Sequence, residues 1–236
     1  SKETMKYLKI FNVKRLKYLG NIKFAGNVKK RKIFDKTDKF LSNKKFWCAA
    51  STHNGEEDLC IEAHKNLKIE FPDLLTVIIP RHIHRSQQIK SLCNKKNLQS
   101  QILNNSDTIN VDSEVLIINS FGVLGKYFSL SKSIFMGKSF VKKFENNGGQ
   151  NPIEAAVLGC KIYHGPFIYN FKEIYELLKN YKISEQINNV DDLTFKLLKD
   201  LKTSKNKQYK KSKILEKLGK SILLKTINEI KKIQNK

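Results

Sequence analysis

Apolar residues in this chain gather into short continuous runs, separated by polar segments with helical rhythm. The runs are FWCAAS (46–51), LLTVIIP (74–80), EVLIIN (114–119), SIFMG (133–137) and CKIYHG (160–165), with a weaker one near 98–103. Between them the spacing predicts helices over roughly 56–69, 84–97, 122–130, 152–158 and 170–180. Strands that are continuously apolar rather than alternating are buried on both faces. That is the mark of parallel strands covered by helices on each side. The rhythm therefore predicts an α/β fold, a Rossmann-like doubly wound parallel sheet. Its ligand crevice should lie beyond the carboxyl ends of the strands.

The flanks follow another pattern. Residues 1–15 read as the end of a helix, and YLGNIKFA (18–25) alternates like a strand. The polar, basic segment 27–44 reads as a linker or lid. Helices are predicted over 188–203 and 206–236. In the last stretch Leu215, Leu218, Ile222, Leu223, Ile227, Ile230 and Ile233 form an apolar stripe opposite a basic face. Such a stripe either docks on its own domain or meets a membrane surface.

Bulk properties narrow the classes. The 236 residues, 40% of them hydrophobic, suffice for one full domain with appendages or for two small ones. No apolar run approaches the roughly 20 residues that span a bilayer. The N-terminus has neither the apolar core of a signal peptide nor an initiating Met, so the chain is expected to begin within a longer protein. Cys48, Cys60, Cys93 and Cys160 lack zinc-site spacing and read as reduced, mostly buried thiols. The net charge of +23 fits an anionic partner, or merely a lysine-rich coding bias, since the lysines are spread along the whole chain. Against that background Arg15, Arg31, Arg81 and Arg85 stand out, two of them within five residues.

Three segments fall where the crevice should be. In STHNGEE (51–57), Ser51, Thr52 and His53 are candidate ligand contacts before a helix start. The plain alternative is a cap made by Asn54 and Glu57. In IIPRHIHR (78–85), Pro80 ends a strand and Arg81 emerges at the crevice edge, suited to a phosphate or carboxylate. His82 and His84 add hydrogen-bonding capacity; His-x-His can hold a metal, but no Asp or Cys supports one here. In NNGGQNPIEAA (146–156), Asn151 is expected as N-cap, Pro152 as first helical residue and Glu154 as the partner in a capping box. Gly148 and Gly149 are expected to expose N–H groups to the crevice. Glu154 then either holds the cap or accepts hydrogen bonds from a ribose diol, and the residues alone leave both open.

WCAASTHNGEED, IIPRH, GGQNPIEAA and HGPFIYNFKEIYELL, in this order, resemble the C-terminal half of 3-deoxy-D-manno-octulosonic acid (Kdo) transferases. The resemblance covers about residues 4–230. It implies the GT-B fold, two Rossmann-like domains facing across a cleft, with a CMP-sugar donor bound by the C-terminal one. It divides the chain into the end of an N-terminal domain (1–30), an interdomain linker (31–44), the donor domain (45–205) and C-terminal amphipathic helices (206–236). By motif, Pro80 and Arg81 match the family's CMP-contacting Pro-Arg, and Asn151, Pro152, Ile153 and Glu154 its Asn-Pro-x-Glu donor element. Phe121, Gly122 and Val123 match a segment where the family usually has Glu at the third place. RHIHR departs from the usual Arg-His-Pro-Glu-Arg, and the loop before Gly148 is longer than usual.

The implied reaction moves Kdo from CMP-Kdo to a lipid A precursor (lipid IVA) in lipopolysaccharide synthesis, at the cytoplasmic face of the inner membrane. No metal or other cofactor is expected. The catalytic base would belong to the missing N-terminal domain, so no catalytic residue is expected here and this chain alone should be inactive. The expected partners are CMP-Kdo, the acceptor lipid through the missing domain, and an anionic membrane surface, with no nucleic acid. Two rivals remain: a GT-B enzyme using a UDP-sugar, transferase or epimerase, and a basic nucleic-acid-binding α/β domain. The second expects aromatics on a basic face, whereas Phe128, Phe135, Tyr163 and Phe167 lie mostly in apolar runs.

Overall fold

A computed structural model of the protein describes residues 2–26, 35–105, 107–203 and 209–234. Helix α1 (Lys2–Ile10) and a 3-10 turn (Ile22–Ala25) precede α2 (Lys36–Ser42). The sheet domain then runs β1 (Phe46–Thr52), α3 (Glu56–Lys68), β2 (Leu75–Pro80), α4 (Ser86–Lys95), β3 (Ser100–Leu103) and β4 (Val115–Ile118). It continues α5 (Leu124–Leu130), β5 (Ser133–Met136), α6 (Ile153–Val157), β6 (Lys161–His164), α7 (Lys172–Asn180) and β7 (Ser184–Gln186). Helices α8 (Val190–Lys202) and α9 (Tyr209–Gln234) close it.

The seven strands lie in the order β3-β4-β2-β1-β5-β6-β7, and every neighbouring pair is parallel. The apolar runs are continuous because each strand feeds two cores. Trp47 and Ala49 of β1 pack with α3, α4 and α8, while Phe46, Cys48 and Ala50 pack on the other face with α5, α6, α7 and α9. The chain leaves β1 toward β2 on one side and returns to β5 on the other. The topological switch point, where ligands bind in such sheets, therefore lies at the carboxyl ends of β1 and β5.

Several expectations change. The alternating stretch 18–25 is not a strand: Phe24 is buried in the 3-10 turn against α9, whose Gly219 lets the two backbones meet. Part of the expected linker is the helix α2, capped by Asp35 and anchored by the fully buried Leu41. Residues 27–34 and 204–208, where the boundaries at 30/31 and 205/206 fall, lie outside the described residues. The C-terminal stretch is one helix rather than several. Its apolar stripe divides: Leu215 and Ile222 are buried, whereas Leu223, Ile227, Ile230 and Ile233 are exposed.

Candidate functional site at the carboxyl ends of the strands

β1 ends in a bulge, with Ser51 in the left-handed region (φ 55°) and Thr52 fully buried. The Arg81 N–H donates to the Thr52 carbonyl at 3.0 Å and the Gly137 N–H to Ala50 at 2.8 Å, which ties the ends of β2 and β5 to β1. Gly137 is needed there, since a Cβ would come within 2.4 Å of the Ser51 carbonyl oxygen.

The start of α3 is organised by Glu56, not by the expected Asn54–Glu57 pair. Gly55, at φ 95°, is its N-cap and offers no side chain. The buried Glu56 carboxylate accepts four backbone N–H bonds: His53 (2.9 Å) and Lys138 (2.7 Å) on Oε2, Ser139 (2.7 Å) and Phe140 (3.0 Å) on Oε1. Burial raises its pKa and the four bonds pull the other way. Glu57 is committed elsewhere. It receives Arg85 through both oxygens, at 2.6 and 3.1 Å, with the Glu57 side chain 1% exposed. Arg85 also donates to Asn54 at 3.4 Å.

The two arginines of the 78–85 motif thus differ. Arg85 is consumed by the scaffold, whereas Arg81 is exposed and makes no side-chain bond among the described residues. The His53 Nδ1–H donates to the Ser51 carbonyl at 3.1 Å, and the ring packs edge-on against His82 and Phe144. Desolvation lowers its pKa to about 4, so its ring is neutral at neutral pH. His82 and His84 lie exposed beside it, their rings 5.6 Å apart. No group of three or more His, Cys, Asp or Glu residues with metal-holding geometry occurs among the described residues.

The opening of α6 departs from the expected capping box. Pro152 (φ −89°) is the N-cap, and the Asn151 side chain accepts from the Ile153 N–H at 3.1 Å as an Asx turn. Ile153 points into the core. Glu154 makes no hydrogen bond or ion pair among the described residues. Its carboxylate lies against α5, with Oε1 2.7 Å from where a Cβ on Gly125 would sit. Desolvation raises its pKa. Gly149 does not offer its N–H to the crevice. Gly148 and Gly149 are both buried against the 167–168 backbone, and the Gly149 N–H donates to the Lys138 carbonyl at 2.6 Å. They are glycines of close packing. Phe121 (71% exposed), Gly122 (φ 73°) and the partly buried Val123 follow β4 on the same side of the sheet.

Open grooves lie beside β3, about 480 Å³ and lined largely by amide side chains, and between residues 14–17 and the end of α9, about 1030 Å³.

An all-parallel sheet with loops of this kind at its switch point is the fold of a GT-B glycosyltransferase domain. Solved structures with the same fold include the C-terminal CMP-Kdo binding domain of WaaA from Acinetobacter baumannii (TM-score 0.61, 22% identity, 86% of this chain and 97% of that one). Trehalose-6-phosphate synthase OtsA also shares it (TM-score 0.55, 10% identity, 86% of this chain and 46% of that one). No family model matches the chain. By sequence, the chain is a relative of the 3-deoxy-D-manno-octulosonic acid transferases. It is 29% identical to that of Haemophilus influenzae over 194 residues, which is 81% of this chain and 44% of the relative. It is 33% identical to that of Rickettsia conorii over 182 residues, which is 76% of this chain and 38% of the relative. The chain thus spans less than half the length of these two relatives.

Proposed function

We propose that this chain is the donor-binding half of a glycosyltransferase that moves Kdo from CMP-Kdo to a lipid A precursor. The observation that carries this reading is a pair of uncommitted charges at the carboxyl end of one sheet: Arg81 and Glu154, in a chain related to Kdo transferases. Every neighbouring charge with a strong local partner, Glu56, Glu57 and Arg85, is spent on the scaffold.

In the reaction, an acceptor hydroxyl attacks the anomeric carbon of Kdo and loses its proton to a base from the acceptor side, while CMP leaves. Negative charge accumulates on the departing phosphate. The Arg81 guanidinium meets it with forked donors, aided by the N–H groups of Gln150 and Asn151. Glu154 accepts the ribose hydroxyls, and Pro80, Ile153 and the Phe121–Val123 turn shape the wall around the nucleoside. Ser51, His53 and His82 border the sugar side, with Thr52 buried behind them, and a neutral His53 can share hydrogen bonds without adding charge. Cationic and amide donors at the leaving phosphate make a metal-independent reaction the reading for this site. A cytoplasmic inner-membrane position for the whole enzyme accords with the basic surface near Lys14, Arg15, Lys231 and Lys232 beside the exposed end of α9.

Calorimetric titration with CMP, UMP and UDP tests the donor class. CMP is expected to bind at least about tenfold more tightly than UDP, a difference of about 1.4 kcal/mol. A UDP preference overturns the reading. CMP binding is expected to survive chelator and to resist competition from random DNA.

A further inference from the structure

Resting on the donor-site reading above, we infer that Glu56 and Glu57 are positioning residues that together set the geometry of the CMP pocket without touching the donor. They are adjacent at the start of α3 and reach opposite ways. Glu56 reaches across the switch point to the loop after β5, binding the N–H groups of Lys138, Ser139 and Phe140, and reaches back to His53 after β1. Glu57 reaches to Arg85 in the turn after β2, four residues beyond Arg81. One helix start therefore ties together the loops that end β1, β2 and β5.

The tie continues into the donor element. Lys138, left-handed at φ 56°, donates its N–H to Glu56, and its carbonyl accepts from the N–H of Gly149, two residues before Asn151. The Ser139 hydroxyl oxygen accepts from the Gly165 N–H and its carbonyl from the Phe167 N–H, in the segment against which Gly148 packs. A displacement at Glu56 is thus handed on to the 148–151 turn through two hydrogen-bonded residues, and a displacement at Glu57 to the Arg81 turn.

The chemistry at Glu56 calls for a carboxylate. Each oxygen already accepts two N–H donors, so an amide in its place would set an NH₂ against two backbone N–H groups. Glu57 needs two oxygens for the forked guanidinium.

The test is made on the full chain with CMP as ligand. Glu56→Gln is expected to weaken CMP binding at least about tenfold. It should also release the exchange protection of the Lys138, Ser139 and Phe140 amides while β3 and β4 keep theirs. Glu57→Gln and Arg85→Gln are each expected to weaken CMP severalfold, and the double variant no further, because both break one contact. Arg85→Lys should restore part of the loss. If Glu56→Gln fails to fold, the Glu57–Arg85 cycle decides the matter. Parent-like CMP affinity in folded Glu56→Gln, or in both Glu57 and Arg85 variants, overturns the positioning role while leaving the donor site standing. A parent chain that binds no CMP overturns the donor-site reading itself, and the positioning role with it.

Discussion

Glu154 is half-buried and makes no hydrogen bond among the described residues, so its charge carries a desolvation cost that nothing nearby offsets. Its pKa is raised, so the folded state holds that proton more tightly than the unfolded chain does. The stabilisation from that proton is complete below the unfolded carboxyl value of about 4 and is lost as pH rises through the folded value. Glu154→Gln is therefore expected to be at least as stable as the parent at pH 7, with the gap closing at acid pH in paired melts. CMP affinity should fall about tenfold in the same protein, since an amide accepts poorly from a ribose diol at two sites. Improved stability with parent-like CMP affinity would assign the carboxylate no part in binding. Gly125→Ala approaches the same group from the other side. The new Cβ meets Glu154 Oε1, the far end of a flexible side chain, so stability should hold while CMP affinity drops severalfold. Asn, Pro and Glu in this segment were legible as a helix start, but not which of them capped it. Asn151 makes an Asx turn instead, and that leaves Glu154 free of capping duty.

At the level of elements, β1, β2, β4, β5 and β6 were legible because a parallel sheet sandwiched by helices needs strands apolar on both faces. The edge strand β7, SEQ, has no such need: its pairing with β6 and not its composition makes it a strand. Helix α2 hid in a basic stretch because a single buried leucine anchors it. The close approach of the ends of β1 and β5 depends on Gly137, flanked by the Ser51 carbonyl oxygen and, at 2.7 Å from where a Cβ would sit, by Thr52 Cα. Backbone on that side cannot yield cheaply. Gly137→Ala is expected to cost about 2–3 kcal/mol in urea unfolding. Helix α9 supplies an internal comparison. Leu215→Ala, in the docked half, should cost about 2–4 kcal/mol, whereas Ile230→Ser, in the exposed half, should stay within about 0.5 kcal/mol. Comparable losses at both positions would mean that the outer half is also packed.

For the whole molecule, three histidines are held neutral by burial. His53, His64 and His164 each have their pKa lowered to about 4, chiefly by desolvation. The unfolded chain binds protons at these sites from about pH 6.5 downward, whereas the folded chain resists until about pH 4. Their contribution is fully present above pH 6.5 and is lost as pH falls toward 4. The melting temperature is expected to fall steadily across that window. Replacing the fully buried His64, whose Nδ1 meets the Thr76 hydroxyl at 2.8 Å, with Gln should flatten the slope. A melting temperature constant from pH 7 to 4.5 would contradict the burial argument.

The order of apolar runs and helical segments by itself determined the α/β class. That pattern is local, and a both-faces-buried strand declares itself in its own residues. The motif residues pointed to a donor-type site only through their resemblance to a known family. Only the tertiary structure decided how the charges divide. Asn54, Glu56, Glu57, Arg81, Arg85 and Glu154 carry the same groups wherever they stand. Whether each is spent on the scaffold or left for a ligand depends on contacts across 28 to 84 residues, as from Glu57 to Arg85 and from Glu56 to Phe140. Those contacts exist only once β1, β2 and β5 lie side by side.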